Sequence, residues 1–492
     1  MKNASENTVI LTREEYEKLV SENLFLKQEL DKIKKMIFAA RSERFLPAGD
    51  DQMSLELNVE QAEAPEQEDQ EINYKRKKAK TDSGKGHARQ PLPAHLPREE
   101  QIIEPEEDTT GCKKIGENVT EYLDYKPGKL FVKKIVRPKY AKPNDEGVIT
   151  ADLPTQPIPR SNAGAGLLAY LIISKFVDHL PFYRQKQMFK REGVDLAEST
   201  INDWFRATCK LLSPLYERLR EKMLETNYLM ADETPIQVLT SQKENASHKG
   251  YYWVYYATRA HMVCFDYQKG RGREGPTAFL QNFKGALQSD GYKAYDIFGE
   301  KPGIQLLACM AHARRKFIEA KDNDKKRSEE ALTMIQELYK TERKARENKL
   351  SHEQRKALRQ EESLPVLEEL ESWLKANLKQ VLPKSAIGKA IAYTFGLWER
   401  LKRYTEDGKY EIDNNLVENS IRPVAIGRKN YLFAGSHEGA ERAAMMYSFL
   451  GTCKKNGVEP FAWLRDVINR LPDHNHKNID ELLPGNWKPV ID

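Results

Sequence analysis

Three acidic residues stand where acidic side chains are unusual and where chemistry would explain them. Asp232 lies inside the alternating stretch 227–239, which predicts a strand, and Asp290 ends a second strand at a Ser-Asp-Gly turn. Strand interiors disfavour aspartate, and a buried carboxylate needs a partner. Glu418 follows an Asp-Asn-Asn cluster at 413–415, which predicts the capped start of a helix. Brought together, three such carboxylates repel one another unless divalent cations, usually Mg²⁺, lie between them.

A cluster of this kind suits phosphodiester chemistry. Two cations about 4 Å apart activate a water or hydroxyl nucleophile and stabilise the leaving oxygen. A plainer interpretation is also open, in which Asp232 and Asp290 end strands or pair with arginines. In the same interpretation Glu418 forms a surface ion pair with Arg422, four positions along one helix face. Spacing alone leaves both interpretations standing.

The segments around these acids predict a mixed α+β core. Strand-like stretches follow one another at 227–239, 250–256, 262–267, 285–292 and 304–309. Antiparallel strands followed by a crossover predict an α+β or mixed sheet. Residues 318–408 are strongly charged, with leucines recurring at helical spacing, so we expect a helical insertion between the second and third acids.

The N-terminal part predicts self-association. Residues 1–45 contain apolar residues at heptad spacing, with Asn23 as a single polar core position, which is typical of a short coiled coil that forms a dimer. An amphipathic helix packed on its own domain is the alternative.

Residues 46–100 form a charged and Pro-rich linker with a basic run at 75–80. Residues 101–158 predict a small β module whose single cysteine, Cys112, cannot build a zinc site by itself.

Residues 159–220 predict a helix-turn-helix. One helix is expected at 166–180 and a second at 181–192, and after a turn at Gly193 a third, capped at Ser199 or Thr200, continues through Leu211. The side chains that would read DNA from this recognition helix are Ser199, Thr200, Asn202 and Arg206. Any three-helix bundle gives a similar pattern, so that alternative also stays open.

Composition limits the class of protein. The 492 residues suffice for two to four domains, and a net charge of +5 is too balanced to demonstrate nucleic-acid binding by itself. No apolar run reaches the roughly 18 residues that span a bilayer, and the N-terminus has no signal-peptide core. Five scattered cysteines suit a reducing compartment. We therefore expect a cytoplasmic protein without a membrane partner.

Four motifs, taken in order, resemble one known family. They are Ala231-Asp-Glu-Thr-Pro235, Ser289-Asp-Gly-Tyr292, Ala311-His-Ala-Arg-Arg-Lys-Phe317 and the long block from Asp413 to Ser436. Together with flanking segments they closely resemble the insertion sequence 66 family of bacterial DDE transposases over essentially the whole chain. The resemblance implies an RNase H-like catalytic core at 221–450 and a C-terminal helix and tail at 451–492.

The resemblance also implies which residues act. Asp232, Asp290 and Glu418 become the D, D and E that hold two Mg²⁺ ions, with Mn²⁺ as an alternative. A group of basic residues would contact phosphates or steady the carboxylates, namely Arg422, Arg428, Lys429, His312 and Arg315.

The family implies partners as well. They are DNA, both at the ends of the element and in the target, a second copy of the chain in a homodimer or higher oligomer, and small accessory transposition proteins. The expected reaction is metal-dependent cleavage at the ends followed by strand transfer. Two alternatives are a catalytically silent repressor derived from a transposase and an RNase H-like nuclease without strand transfer.

The chain departs from the family at the β module. Relatives carry paired cysteines there, whereas this chain has Cys112 alone, so we predict that the module binds no zinc. Cys309 and His312 also have ligand spacing, but no second pair stands nearby. Support of the active site or core packing is therefore the favoured role of Cys309 and His312.

Overall fold

The structure is a computed structural model that describes residues 128, 130–132, 139–141, 148–150, 155–239 and 247–489. The chain divides into two compact units, and every element below belongs to the unit that contains Arg137–Asp492. The predicted coiled coil and linker at 1–100 lie outside the described residues, as does most of the predicted β module.

The strands in chain order are β1 (Lys139–Ala141), β2 (Val148–Thr150), β3 (Tyr228–Leu239), β4 (Ser247–Ala257), β5 (Met262–Gln268), β6 (Gly285–Ser289), β7 (Ile304–Ala308) and β8 (Phe433–Ala434). The α-helices are α1 (Ala165–Phe176), α2 (Phe182–Arg191), α3 (Glu198–Leu224), α4 (Glu274–Phe279), α5 (Met310–Glu319), α6 (Lys325–Glu347), α7 (His352–Leu358), α8 (Leu364–Leu378), α9 (Ala386–Gly396), α10 (Trp398–Lys402), α11 (Asn415–Tyr431), α12 (His437–Lys455) and α13 (Pro460–Arg470). The prediction of a mixed α+β chain with a mixed sheet is confirmed at this level.

The main sheet has the order β5-β4-β3-β6-β7, with β8 also paired to β3. β3, β4 and β5 are antiparallel neighbours, whereas β6, β7 and β8 run parallel to β3 or to one another. β1 and β2 form a separate two-stranded antiparallel ladder. The sheet therefore changes from antiparallel to parallel at β3, the strand that carries Asp232.

The outer edge of β5 is covered by helix α12. The backbone N–H of Phe265 donates to Ser448 Oγ at 2.8 Å, and that of Val263 donates to Thr452 Oγ1 at 3.0 Å. Both hydroxyls are buried. Because an open strand edge invites pairing with another chain, these two side chains satisfy the edge and also fix the helix on the sheet.

The other edge of β3 is only partly paired. β6 pairs with residues 228–230 and β8 pairs with residues 237–238, so the stretch of β3 between them has no strand neighbour on that side within the described part of the chain. Pro235, which lacks a backbone N–H, falls in this stretch, as expected for proline in a sheet. The Ala231 carbonyl accepts from Asn414 Nδ2 at 2.9 Å, and the Pro235 carbonyl accepts from Arg428. α11 and the residue before it thus take the place of a strand.

The helical segment before the sheet differs in detail from the predicted helix-turn-helix. α3 runs from Glu198 to Leu224, well beyond the predicted end, because buried Leu212, Leu215 and Leu219 continue the helical period against the core. Its N-cap is Ala197, without a side-chain hydrogen bond, so the predicted cap at Ser199 or Thr200 is wrong. Both residues lie inside the first turn.

The helical insertion is held by a buried ion network. The Arg359 side chain is 0% exposed and donates to both carboxylate oxygens of Glu342, at 2.7 and 2.9 Å. It also donates to the carbonyls of Tyr404 at 2.6 Å and Tyr410 at 2.8 Å. Arg355 joins Glu342 to Glu411, with its closest contact to Glu411 at 2.7 Å. The network therefore anchors the segment that leads into α11.

Within the part of the chain that the structure describes, no helix has the length and apolar character needed to cross a bilayer.

The buried network predicts a large effect for Glu342→Gln. The change leaves the Arg359 guanidinium buried without its carboxylate, so we expect a loss of about 3–5 kcal/mol in the free energy of unfolding. Urea denaturation near neutral pH measures it. Hydrogen bonds from the two arginines lower the pKa of Glu342, although burial opposes this. The contribution of Glu342 to stability is therefore fully present at a pH above the pKa that Glu342 has in the unfolded chain. It is lost as the pH falls through the lower pKa that Glu342 has in the folded chain.

Glu337→Gln is the matched control. Glu337 pairs with Lys340 at 2.6 Å on an exposed face of the same helix, so its removal should cost less than about 1 kcal/mol. Equal losses for the two variants would contradict a structural role for the buried network.

Candidate active site

Asp232 and Asp290 are brought side by side by the register of two parallel strands. Leu229 is opposite Leu287 and Met230 is opposite Gln288, an offset of 58 positions. The same offset aligns Asp232 with Asp290, one residue past the end of β6. Neighbouring strands lie about 4.8 Å apart, so aligned residues present their side chains together on one face. The 58-residue separation in the sequence is thus the pairing register of the sheet.

The turn after β6 holds Asp290 in place. Asp290 Oδ1 accepts from the backbone N–H of Tyr292 at 2.8 Å, and its carbonyl accepts from the Tyr393 hydroxyl at 2.5 Å. Gly291 adopts φ +87°, a left-handed conformation that favours glycine and permits the tight turn. Tyr393 belongs to α9 of the insertion, so the insertion contacts the site directly.

Glu418 reaches the site from the first turn of α11. The backbone N–H of Met310 donates to the Ile412 carbonyl at 3.0 Å, which ties the approach to α11 to the end of β7. Asn414 is the N-cap, but its side chain donates to Ala231 instead of accepting from the helix. The predicted capping by this cluster is therefore wrong for Asn414. Its amide docks the helix onto β3 beside Asp232.

The carboxylates influence one another strongly. Desolvation raises the pKa of Asp232 well above its ordinary value, and the charges of Glu233, Asp290 and Glu418 raise it further. Desolvation also raises the pKa of Glu418, with Arg315 opposing and Asp413 and Asp290 adding to the rise. Because neighbouring negative charges appear among these causes, the three side chains form one electrostatic cluster.

The donor set fits a divalent cation. Glu418 Oε1 and His312 Nδ1 are buried and have no hydrogen-bond partner among the described residues, although they lie 3.9 Å from each other. Glu233 Oε2 is likewise buried and without a partner. Desolvation lowers the pKa of His312, so its imidazole is neutral at neutral pH and offers no positive charge to the carboxylates. Unpartnered oxygens in a crowded anionic site are the chemistry that Mg²⁺ or Mn²⁺ satisfies.

Glu418 also belongs to a second potential ligand group. Ligand atoms of Cys309, His312 and Glu418 all lie within 4.8 Å of one another. Cys309 Sγ, however, accepts from the backbone N–H of Asn414 at 3.2 Å, and burial raises the pKa of this thiol well above its ordinary value. A neutral thiol engaged by a backbone amide supports the start of α11, and it is a poor ligand in that form.

The other acids near the site have partners. Asp296 pairs with Arg400 at 2.6 Å, Glu411 pairs with Arg355, and Asp413 accepts from the Tyr339 hydroxyl at 2.9 Å. Each of these acids therefore has a partner outside the cluster of Asp232, Asp290 and Glu418, although the charge of Asp413 still raises the pKa of Glu418.

Comparison with known proteins agrees with the motifs. Residues 160–442, more than half of the chain, match the family described as Transposase IS66 family. The chain belongs to the IS66 transposase family. Residues 448–484 match the IS66 C-terminal element, and residues 25–100 match the model described as Transposase C of IS166 homeodomain.

Relatives of this IS66 chain are similar over nearly its whole length. Two proteins of Sinorhizobium fredii (strain NBRC 101917 / NGR234), both named as uncharacterized, are y4jD at 32% identity and y4hP at 33%. Each alignment covers 94% of this chain, with 95% and 88% of the respective relative. The predicted membership of the family is therefore confirmed.

The basic residues named from the family's motifs lie on two helices, α5 and α11. Arg315 lies on α5, close enough to lower the pKa of Glu418. Arg422 is half-buried on α11 and Lys429 is exposed near its end. Arg428 donates to the Pro235 carbonyl, so it ties α11 to β3.

The recognition-helix residues lie apart from the carboxylates. On α3, Ser199, Asn202 and Arg206 are exposed and Thr200 is half-buried. Arg206 pairs with Asp203 at 3.2 Å on the solvent side. These side chains lie on a different element from Asp232, Asp290 and Glu418, and their role in DNA recognition stays a prediction.

Sequence reasoning missed one charged pair in this chain. The Glu233 side chain is 2% exposed and accepts from Arg271 at 2.5 and 2.9 Å. The Arg271 guanidinium also lies 4.1 Å from the ring centre of Tyr292, two residues after Asp290. Desolvation, with the charge of Asp290, raises the pKa of Glu233 to about 7 despite Arg271. The Gly-Arg-Gly-Arg sequence at 270–273 was the available signal.

The crowded acids predict a stability that depends on pH and cation. Asp232, Glu233 and Glu418 bind protons more tightly in the folded than in the unfolded chain, so the metal-free protein should lose stability as the pH rises above the ordinary carboxyl range. For Glu233 this loss runs from pH 4.5 to about pH 7. Mg²⁺ should restore it, by about 2.7 kcal/mol at one hundred times the dissociation constant. Thermal unfolding in EDTA and in Mg²⁺, at pH 5 and pH 8, measures both effects.

The Asp290→Asn variant is compared with the wild type in the same unfolding experiment. Removing one charge should stabilise the metal-free protein at pH 8 and reduce the gain from Mg²⁺. Asp296→Asn, whose carboxylate is exposed and paired with Arg400, should behave as the wild type. The same Mg²⁺ gain in Asp290→Asn as in the wild type would exclude Asp290 as a ligand.

Proposed function

We propose that this IS66-family chain is a DNA transposase whose active site is formed by Asp232, Asp290 and Glu418. The observation that carries the proposal is the shared register of Asp232 and Asp290, with the charges of Asp290 and Glu418 both raising the pKa of Asp232. The proposed core is RNase H-like and spans residues 221–450, with the insertion at about 318–408. The reaction is phosphodiester cleavage followed by strand transfer.

The three carboxylates would hold two divalent cations, Mg²⁺ or Mn²⁺. When bound, such ions activate a water or hydroxyl and offset the charge on the leaving oxygen. Neutral His312 can accept a proton or a hydrogen bond beside Glu418. Arg315 lowers the pKa of Glu418 and so favours its ionised form.

The same site can serve two steps. Hydrolysis of a phosphodiester at an element end consumes water and leaves a free 3′-hydroxyl. In-line attack of that hydroxyl on a target phosphodiester forms one bond and breaks another, so no nucleotide cofactor and no covalent protein intermediate are needed. A nuclease would stop after the first step, and a repressor would perform neither.

DNA recognition is assigned to the segments outside the sheet. Helices α1 to α3, within the proposed domain 159–220, would act as the helix-turn-helix, with Ser199, Thr200, Asn202 and Arg206 facing the terminal repeats. Arg422 and Lys429 are proposed to contact phosphates near the carboxylates, and the basic run at 75–80 would add further contacts. The N-terminal 45 residues would pair two protomers across two element ends, and small accessory proteins would complete the assembly.

Asp232→Asn should abolish Mg²⁺-dependent cleavage while leaving binding to the element ends unchanged, because the amide keeps the shape of the site and loses the charge. Gel assays with labelled end DNA, Mg²⁺ and a plasmid target measure this. Joined product supports a transposase, cut ends alone indicate a nuclease, and bound but uncut DNA indicates a repressor. Asp296→Asn is the control and should retain wild-type cleavage; survival of cleavage in Asp232→Asn would refute the site.

Arg206→Gln should weaken binding of end DNA and reduce the slope of log affinity against log salt by about one, since one phosphate contact is lost. Salt titrations of binding in EDTA measure it without cleavage. Lys326→Gln, an exposed cation on α6 of the insertion, is the control. An unchanged salt slope in Arg206→Gln would remove this residue from the DNA interface.

A further inference from the structure

A cavity of about 250 Å³ lies where α1 and α3 meet the sheet. Its wall includes Ile236 of β3, the end of α11, β8 and the first turn of α12. Ile236 is four residues beyond Asp232 on the same strand face, so the cavity lies about 13 Å along β3 from the proposed site. That is roughly four base-pair steps of 3.4 Å along DNA.

The charged side chains that line the cavity all carry positive charge. They are Lys175, Arg206 and Arg442, and no carboxylate is among the described lining residues. The Lys175 ammonium lies 4.0 Å from the ring centre of Phe182. Burial lowers the pKa of Lys175 to about 8, so it is still largely protonated at neutral pH. Ser436 caps α12 by accepting from Gly439 at 3.0 Å, and this positive helix end adds to the field. The cavity therefore favours an anionic group.

Aromatic rings form much of the remaining wall. Phe205, Tyr252, Tyr431 and Tyr447 line the interior, and Phe433, 45% exposed, lines it from β8. Sites for drug-sized ligands occupy roughly 300–1,000 Å³, so this smaller volume suits a single ring system. Flat faces beside cations are the combination that binds a base together with its phosphate.

We infer that the cavity receives one nucleotide of the DNA substrate, turned out of the helix, with its base among the aromatic rings and its phosphate at Arg206 and Arg442. The inference rests on the proposed function only in taking DNA as the substrate. Asn202 and Arg206 of α3 line the cavity, and Asp232 lies about 13 Å from it along β3, so a DNA strand that contacts both α3 and the carboxylates passes the cavity. Holding one nucleotide there fixes the position of the DNA end relative to Asp232.

The test uses the full chain in EDTA, where DNA binds without cleavage. The probe is a labelled duplex with a single-stranded extension of five thymidines, compared with duplexes that have an abasic site at each extension position in turn. We expect one abasic position to weaken binding about 5- to 100-fold, the range for loss of one stacked base. Phe433→Ala and Arg442→Gln should weaken the intact probe and remove the difference between intact and abasic probes. Free deoxythymidine monophosphate should compete only at far higher concentration than the probe.

Tyr183→Ala and Lys326→Gln are the controls, because both side chains are exposed and lie outside the cavity lining. They should keep the full discrimination against the abasic probe. Equal binding of intact and abasic probes by the wild type would overturn the inference, as would equal losses on both probes in Phe433→Ala. If the protein cleaves DNA in Mg²⁺ but binds intact and abasic probes equally, the cavity assignment is wrong and the proposed function stands. Discrimination without cleavage leaves the cavity standing and removes the transposase reaction, and absence of all DNA binding overturns both.

Discussion

The mutual repulsion of carboxylates crowded beside the central strand is the constraint on which the rest of this structure depends. The charges of Asp290 and Glu418 raise the pKa of Asp232, the charge of Asp290 also raises that of Glu418, and burial removes the water that would screen these charges. A metal-free cluster of this kind costs folding free energy, so it persists only where the surrounding structure holds it. Strained or destabilised groups of this kind concentrate at functional sites.

The support comes from three directions. The sheet register aligns the two aspartates, and the turn after β6 holds Asp290 in place. Buried Gln288 donates to the Glu411 carbonyl at 2.9 Å, and the Glu411 N–H donates to the Tyr228 hydroxyl at 3.0 Å, so the sheet grips the segment before α11. From the far side Arg359 binds the carbonyls of that segment. The helical insertion therefore helps to position Glu418, because it binds the segment that leads into α11.

The stretch of β3 that has no described strand neighbour between β6 and β8 explains why the carboxylates and the cavity share one face of the sheet. A strand paired along its whole length would leave no room for α11 to approach Asp232. Because β6 and β8 pair only with the two ends, Asn414 and Arg428 can bind the open carbonyls and seat the helix. The same helix then runs from Glu418 to Tyr431, joining the carboxylates at its start to the aromatic wall at its end.

Local patterns in the sequence determined the strands, the helical insertion, the family and the three acids worth testing, because period-two alternation and motif spacing are properties of neighbouring residues. The 58-residue interval between the aspartates could be read from the sequence, although its meaning as a strand register could not. Tertiary structure alone decided that Asn414 docks on β3, that Glu342 and Arg359 pair across the insertion, and that Arg271 meets Glu233. It also formed the cavity from α1, α3, β8 and α12. Each of these depends on segments distant in the chain meeting in space, and composition and periodicity carry no information about such contacts.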